Sequence, residues 1–255
     1  MVHLHTAQVS VLLNKPHFAF TDTEHAKISN LIVKLFSKYF FTPTSYKKNF
    51  GKKHIRFNGY MELCYLHPNY FTPDSTVLDM IGVKKGEKYV ILRFVSWNAS
   101  HDFGHSGLSL DEKRKAVLEL SKHAKVFILS EGELPEDLKK YQIKIHPEKI
   151  HDIMAYASYF FGESGTMVAE SAIMGVPSIQ ISGLPAGTIG SLEELEKKYE
   201  LIKIYENFNE EIIDEIIDNI NNPIFKDKIS MNRKRMLDDK IDVTKYMINF
   251  VRNLG

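Results

Sequence analysis

The chain has 255 residues, 44% hydrophobic and 25% charged, with a formal net charge of +1 and one cysteine. That length allows one large or two ordinary domains around a substantial core, and the near-neutral balance supplies no field to draw nucleic acid or an anionic membrane. One cysteine excludes internal disulfides, no apolar run approaches the roughly 18 residues of a membrane helix, and no signal-peptide pattern opens the chain, so a cytoplasmic protein is expected.

Residues 2–13 read as a helix stopped by Lys15-Pro16, and 17–20 as a short buried strand. Asp22, Glu24 and His25 crowd the end of that strand, where open α/β sheets place their ligands. A carboxylate beside a histidine suits general-base work; a helix cap by Asp22 or Thr23, with Glu24 in the first turn, accounts for the same residues. The helix expected over 26–37 carries Ile28, Leu31, Ile32, Leu35 and Phe36 on one face. A strand at 39–41, a short helix from Ser45 to Phe50 and a strand at 54–57 follow. Cys64, between Leu63 and Tyr65, suits core packing better than nucleophilic chemistry. Pro68, Asn69, Pro73 and Asp74 mark an irregular crossing, which divides the chain into 1–75 and 76–255.

The second half opens with a near-continuous apolar run, 89–95, of the kind found in a central parallel strand. A polar loop, 96–105, follows it. His101, Asp102 and His105 could bind a metal if they shared a helical turn, but Gly104 and Gly107 argue against a regular helix there. Trp97 suits stacking on a base or sugar and core packing equally. A helix at 110–123 and a strand at 126–129 end at Glu131 and Glu133, which a solvated loop explains as well as a site. A helix at 149–156 and a strand at 157–161 then lead into Gly162-Glu163-Ser164-Gly165-Thr166-Met167-Val168-Ala169-Glu170, closed by Gly175-Val176-Pro177. Small residues at 162, 164 and 165 let a ligand approach the backbone, and the helix start favours an anion such as phosphate. Glu170 is spaced to accept hydrogen bonds from a pair of sugar hydroxyls; a plain Ser-Gly cap with a solvated Glu explains the nonapeptide too. Strands at 178–181 and 201–205 alternate with helices at 192–199, 210–221 and a charged helical tail, 226–254. This alternation argues for parallel sheets with helices on both faces, and two such sheets joined at 59–75 leave a cleft for a ligand.

In that context Ser164-Gly165, Glu170 and Gly175-Val176-Pro177 resemble the donor-nucleotide site of GT-B enzymes, the two-domain glycosyltransferases and the non-hydrolysing UDP-N-acetylglucosamine 2-epimerases. More closely, the chain is similar to the domain-of-unknown-function 354 family in Asp22-Thr23-Glu24-His25-Ala26, Gly59-Tyr60-Met61-Glu62-Leu63, Tyr65-Leu66-His67-Pro68, the run from Arg93 to Asp102, and Gly165-Thr166-Met167. The resemblance implies an α/β, GT-B-like fold of two Rossmann-like domains with a cleft between them, an acceptor-side domain at 1–75 and a nucleotide-sugar domain with a C-terminal helix at 76–255. It implies a UDP-sugar donor with no separate cofactor and no metal. The diphosphate would lie on Ser164, Gly165 and Thr166 and the ribose on Glu170. Asn98, Ser100 and His101 would face the phosphates, with His101 meeting leaving-group charge. Arg93 is either part of that site or a paired structural residue, and the stretch Ile145-His146-Pro147 would grip the base. Members of the family are longer at the N-terminus, so the chain is expected to begin inside the first domain, without the loop that often carries the base; Glu24, His25 and Asp22 then remain on the acceptor side. The expected activity is metal-independent glycosyl transfer to a sugar or lipid-linked acceptor. The alternatives are C2 epimerisation using Asp22, Glu24, Glu131 and Asp102, or nucleotide-sugar binding without catalysis; a homo-oligomer is left open.

Overall fold

The apolar run beginning at Tyr89 lies inside the larger of two sheets in the computed structural model, which describes residues 4–95, 107–130, 132–185 and 187–253. In the first quarter of the chain α1 (Leu4–Leu12) and α2 (Lys27–Phe36) accompany β1 (Phe18–Phe20), β2 (Tyr39–Pro43) and β3 (His54–Phe57). The three strands pair in parallel in the order β1-β2-β3, with Phe41 beside Ile55. Short helices α3 (Leu63–Leu66) and α4 (Val77–Met80) cross to β4 (Tyr89–Phe94), α5 (Leu110–Leu120), β5 (Lys125–Ser130), α6 (Ile150–Ala155) and β6 (Tyr159–Gly162). After them come α7 (Gly165–Met174), β7 (Ser178–Ile181), α8 (Gly190–Lys197), β8 (Ile202–Tyr205), α9 (Glu210–Asn221), α10 (Pro223–Asp239) and α11 (Val243–Arg252). The second sheet is parallel throughout, in the order β5-β4-β6-β7-β8. The architecture is thus α/β and GT-B-like, with two parallel sheets of three and five strands. Among the described residues no helix is long and apolar enough to cross a membrane.

Burial explains the patterning. In β4, Val90, Leu92 and Phe94 face α5 and α9, where Val117, Leu120, Ile212 and Ile216 meet them. Ile91 faces the other way, into a core that runs from Val168, Ala172 and Leu195 through Phe57, Tyr60 and Leu63. One continuous apolar layer therefore joins the two sheets. The last helix completes it: Phe250 of α11 lies 4.7 Å from the Phe41 ring and 5.5 Å from Tyr39. The end of the chain thus packs on the first sheet.

Two local expectations fail, each for a visible reason. The apolar stripe of α2 does not point inward: Ile28, Leu31 and Leu35 are 76%, 56% and 64% exposed, while Val33 and Asn30 are buried. Asn30 sets this rotation by donating its amide to the Thr23 carbonyl and the Tyr46 hydroxyl, at 2.7 and 3.1 Å. No helix forms over 46–50, because the Arg56 guanidinium draws the carbonyls of Thr44, Tyr46 and Lys48 toward itself instead of leaving them to an i→i+4 ladder. The charged tail is two helices, broken where Lys240 turns inward and Asp242 caps α11.

Lys240 is buried, with its ammonium 2.8 Å from both carboxylate oxygens of Glu194 on α8 and 3.1 Å from Asn58 Oδ1 beyond β3. It also sits over the rings of Tyr60 and Tyr199, at 4.7 and 5.6 Å. Tyr60 donates its hydroxyl to Glu194 at 2.8 Å. Truncating one partner of such a pair strands the other charge. Lys240→Ala is expected to lose about 3 kcal/mol of unfolding free energy in urea titration, more than removal of the exposed Lys122–Glu119 pair, which water screens.

Candidate functional site

Strand order creates the site. Arg93 on β4, Gly162 on β6 and Gln180 on β7 are register neighbours at the C-terminal ends of three adjacent strands. Only the middle one lacks a side chain, and it must: a Cβ on Gly162 would overlap the Arg93 carbonyl. The chain leaves that gap through Glu163 and Ser164 and enters α7, whose cap is the Ser164 Oγ, accepting from the Met167 N–H at 3.4 Å. Gly175 ends the helix with φ of 86°, the left-handed conformation glycine adopts without strain. The ten-residue helix thus presents its positive end above the sheet, between two cavities.

The first cavity, about 440 Å³, is lined by Gly165 and Thr166 of α7, by Gln180, Ser182 and Leu184, and from the first sheet by Asp22, Thr23, His25 and Glu62. The second, about 280 Å³, is lined by Arg93, Ser130, Ile143, Ile145, Met167 and Glu170. A larger groove of about 500 Å³ runs along β8 beside Lys203, Glu215 and Phe225. It opens at the N-terminal ends of β6, β7 and β8, away from the α7 N-terminus, so its size does not make it the site.

Gly165, Thr166, Asp22 and His25 are brought together at the first cavity, and Glu170 and Arg93 at the second. Glu170 is buried, accepts from the Tyr65 hydroxyl at 2.8 Å and lies 3.0 Å from His151 Nε2. Glu24 has a different place. Its carboxylate accepts the Lys47 N–H at 2.5 Å and the Gly190 N–H at 2.8 Å, which ties the first sheet to the start of α8 and turns the group away from the cavity lining. His146 points outward, 74% exposed, with Nδ1 3.5 Å from Glu148, while its neighbour Ile145 lines the second cavity. Glu133 is 88% exposed beside Lys139. Trp97, Asn98, Ser100, His101, Asp102, His105 and Glu131 lie outside the described residues. Cys64 packs against Met247, and burial pushes its thiol up to about 11, which leaves no thiolate to react.

Glu62, Glu163, Gln180 and Tyr65 belong to the site, although the sequence assigned none of them a role in it. Glu163 accepts the N–H groups of Val95 and Leu108 at 3.1 and 2.8 Å and lies 3.3 Å from the buried Lys113 ammonium, so its charge is spent on holding the segments either side of it. Burial first, then the neighbouring Asp22, pushes Glu62 up to about 8, and Glu170 adds to the shift. The available signal was position: Glu62 follows the end of β3 as Asp22 follows β1.

A family model described as "Protein of unknown function (DUF354)" matches residues 3–254. An uncharacterised protein of Methanocaldococcus jannaschii is 24% identical over 226 residues, covering 84% of this chain; the chain spans 64% of that relative's length. Among solved structures, a UDP-GlcNAc 2-epimerase from Neisseria meningitidis bound to UDP-GlcNAc aligns with a TM-score of 0.64 at 14% identity, over 98% of this chain and 73% of that one. The Anabaena protein HepE in complex with UDP aligns with a TM-score of 0.56 at 13% identity, over 98% and 75%. The spinosyn forosaminyltransferase SpnP gives 0.59 at 11%, over 98% and 73%. These likenesses establish the fold.

The raised carboxyl has a stability consequence. Between the ordinary value of 4.5 and about 8 the folded protein keeps the Glu62 proton that the unfolded chain releases, so the native state loses stability as pH rises through that window. Glu62→Gln removes the penalty. The variant should be more stable than the parent by about 4 kcal/mol at pH 8 and nearly equal to it at pH 4.5, read by urea unfolding at both pH values.

Proposed function

We propose that this chain, which belongs to the DUF354 family, binds a nucleoside-diphosphate sugar, most simply a UDP-sugar, and acts as a glycosyltransferase of GT-B type. The observation that carries the reading is the α7 N-terminus, opening at Gly165 and Thr166 between two cavities at the strand ends. A diphosphate on those N–H groups would reach into both cavities. The nucleoside would lie in the second, where Glu170 accepts from the ribose hydroxyls and the segment around Ile145 borders the base. The sugar would extend into the first, toward Asp22 and His25. The helix end and its N–H groups would meet the charge developing on the leaving diphosphate, and Asp22 or His25 would take the proton of the attacking hydroxyl. The neighbours solved with UDP and UDP-GlcNAc support the ligand class.

A second reading, epimerisation of the bound sugar, is favoured by one observation: two carboxyl side chains, Asp22 and Glu62, face the sugar cavity from the first sheet. Such a reaction needs an acid and a base across the ring. Incubation with UDP-GlcNAc separates the two: UDP release dependent on an added acceptor supports transfer, and NMR conversion at C2 without acceptor supports epimerisation.

Thr166→Glu tests the shared premise without weakening the helix, since an acidic residue in the first turn is stabilising there. Thr166 is exposed, and its replacement would set a carboxylate in the anion site. The variant should keep or raise the parent's melting temperature and bind UDP at least tenfold more weakly by calorimetry. A parent protein stabilised by no nucleotide or nucleotide sugar in a thermal-shift panel sinks the reading.

A further inference from the structure

Two groups facing the first cavity have no role in holding the diphosphate. Glu62, in the turn between β3 and α3, is 7% exposed and has no cationic partner among the described residues. The groups that act on it are Asp22 and Glu170, with Tyr60, Cys64 and Tyr65 on its own segment and His25 and Glu163 elsewhere on the cavity wall. Across the cavity, Gln180 is 5% exposed, and its Oε1 is buried without a hydrogen-bond partner. Its other amide end lies against Gly165, where an added Cβ would stand 3.1 Å from Nε2. Buried amide oxygens are almost always satisfied, and the residue that carries this one lines the cavity beside the first residue of α7. An acceptor in that position calls for a ligand donor.

We propose that Glu62 and Gln180 form the sugar subsite of this cleft and select an uncharged, hydroxyl-bearing hexose, Gln180 accepting from a ring hydroxyl and Glu62 donating to a ring-substituent oxygen. The inference rests on the nucleotide-sugar reading and narrows it to a substrate class. Glu62 can donate because, without a cation and beside Asp22, it keeps its proton at neutral pH. A uronate would place a further carboxylate against Asp22. An uncharged ring adds no such repulsion and supplies both the donor and the acceptor the two side chains lack.

The test is calorimetry on the full chain with UDP, UDP-GlcNAc and UDP-glucuronate from pH 7 to 9.5. UDP-GlcNAc should bind more tightly than UDP-glucuronate, and its affinity should fall by up to roughly tenfold per pH unit above 8 as Glu62 ionises. Glu62→Gln should bind UDP-GlcNAc with an affinity flat within about twofold over that range. Gln180→Leu, close in size, should lose about fivefold for UDP-GlcNAc, the worth of one hydrogen bond, with UDP affinity unchanged. Equal or tighter binding of UDP-glucuronate overturns the proposal, as does a flat profile in the parent, or a loss in Gln180→Leu as large for UDP as for UDP-GlcNAc. Should that variant fail to fold, the parent's pH profile and the uronate comparison still decide. A parent that binds none of the three ligands refutes the nucleotide-sugar reading itself; one that binds UDP and UDP-GlcNAc alike refutes only the subsite.

Discussion

The buried ammonium of Lys240 holds the parts of the cleft in register. Glu194 meets its charge, Asn58 accepts a further hydrogen bond, and the faces of Tyr60 and Tyr199 close over it. Such a pair adds modest net stability, because desolvation takes back much of the Coulombic gain. Its larger effect is positional. Any arrangement that separates Lys240 from Glu194 leaves a charge in an apolar layer, so the turn after β3, the helix α8 and the junction of the last two helices occupy one relative placement. Glu62 lies two residues from Tyr60, and Gly190 opens the helix that carries Glu194. Both walls of the first cavity therefore inherit their spacing from this contact and from the second tie, Glu24, whose two oxygens bridge the Lys47 and Gly190 amides.

Within the cleft the electrostatic question is how a diphosphate could settle among so many acids. Each acid has been dealt with differently. Glu163 is neutralised by Lys113 and by two main-chain amides, Glu24 is absorbed by two more, and Glu62 retains its proton. Asp22 is left as the carboxylate facing the cavity, next to His25. Against it stands the end of a ten-residue helix with its unsatisfied amides, a favourable term for an anion. On the proposed reading, phosphate would lie at the helix, with Asp22 and His25 lining the same cavity as the proton acceptors.

The strand ladder and the α7 motif were legible because both rest on local rules: continuous apolar runs for strands covered on both faces, and glycine where backbones crowd. Periodicity misled for α2, where one buried amide, Asn30, outweighed a stripe of isoleucine and leucine by satisfying a carbonyl and a hydroxyl. The helix expected after Ser45 was lost to Arg56, a residue whose reach across the turn has no signature in spacing. In the site, Glu24 drew notice by its company with Asp22 and His25, whereas Glu62 was passed over inside a mostly apolar stretch. Which carboxyl faces a cavity and which is bound by amides depends on elements more than a hundred residues away, such as Gly190, and sequence adjacency carries no record of that.

The placement of α11 bears on how the chain acquires its structure. Phe250 packs edge-on against Phe18, Tyr39 and Phe41, and Ile241 donates its amide to the Asn58 carbonyl. During synthesis the first sheet emerges before the second and lacks the surface that covers it until α11 has been made. Its aromatic strands must therefore wait, exposed, through the translation of the entire second sheet. Closing so long a loop carries an entropic cost met before any contact rewards it. Of the two sheets, the one earlier in the chain is thus completed by a later segment, α11.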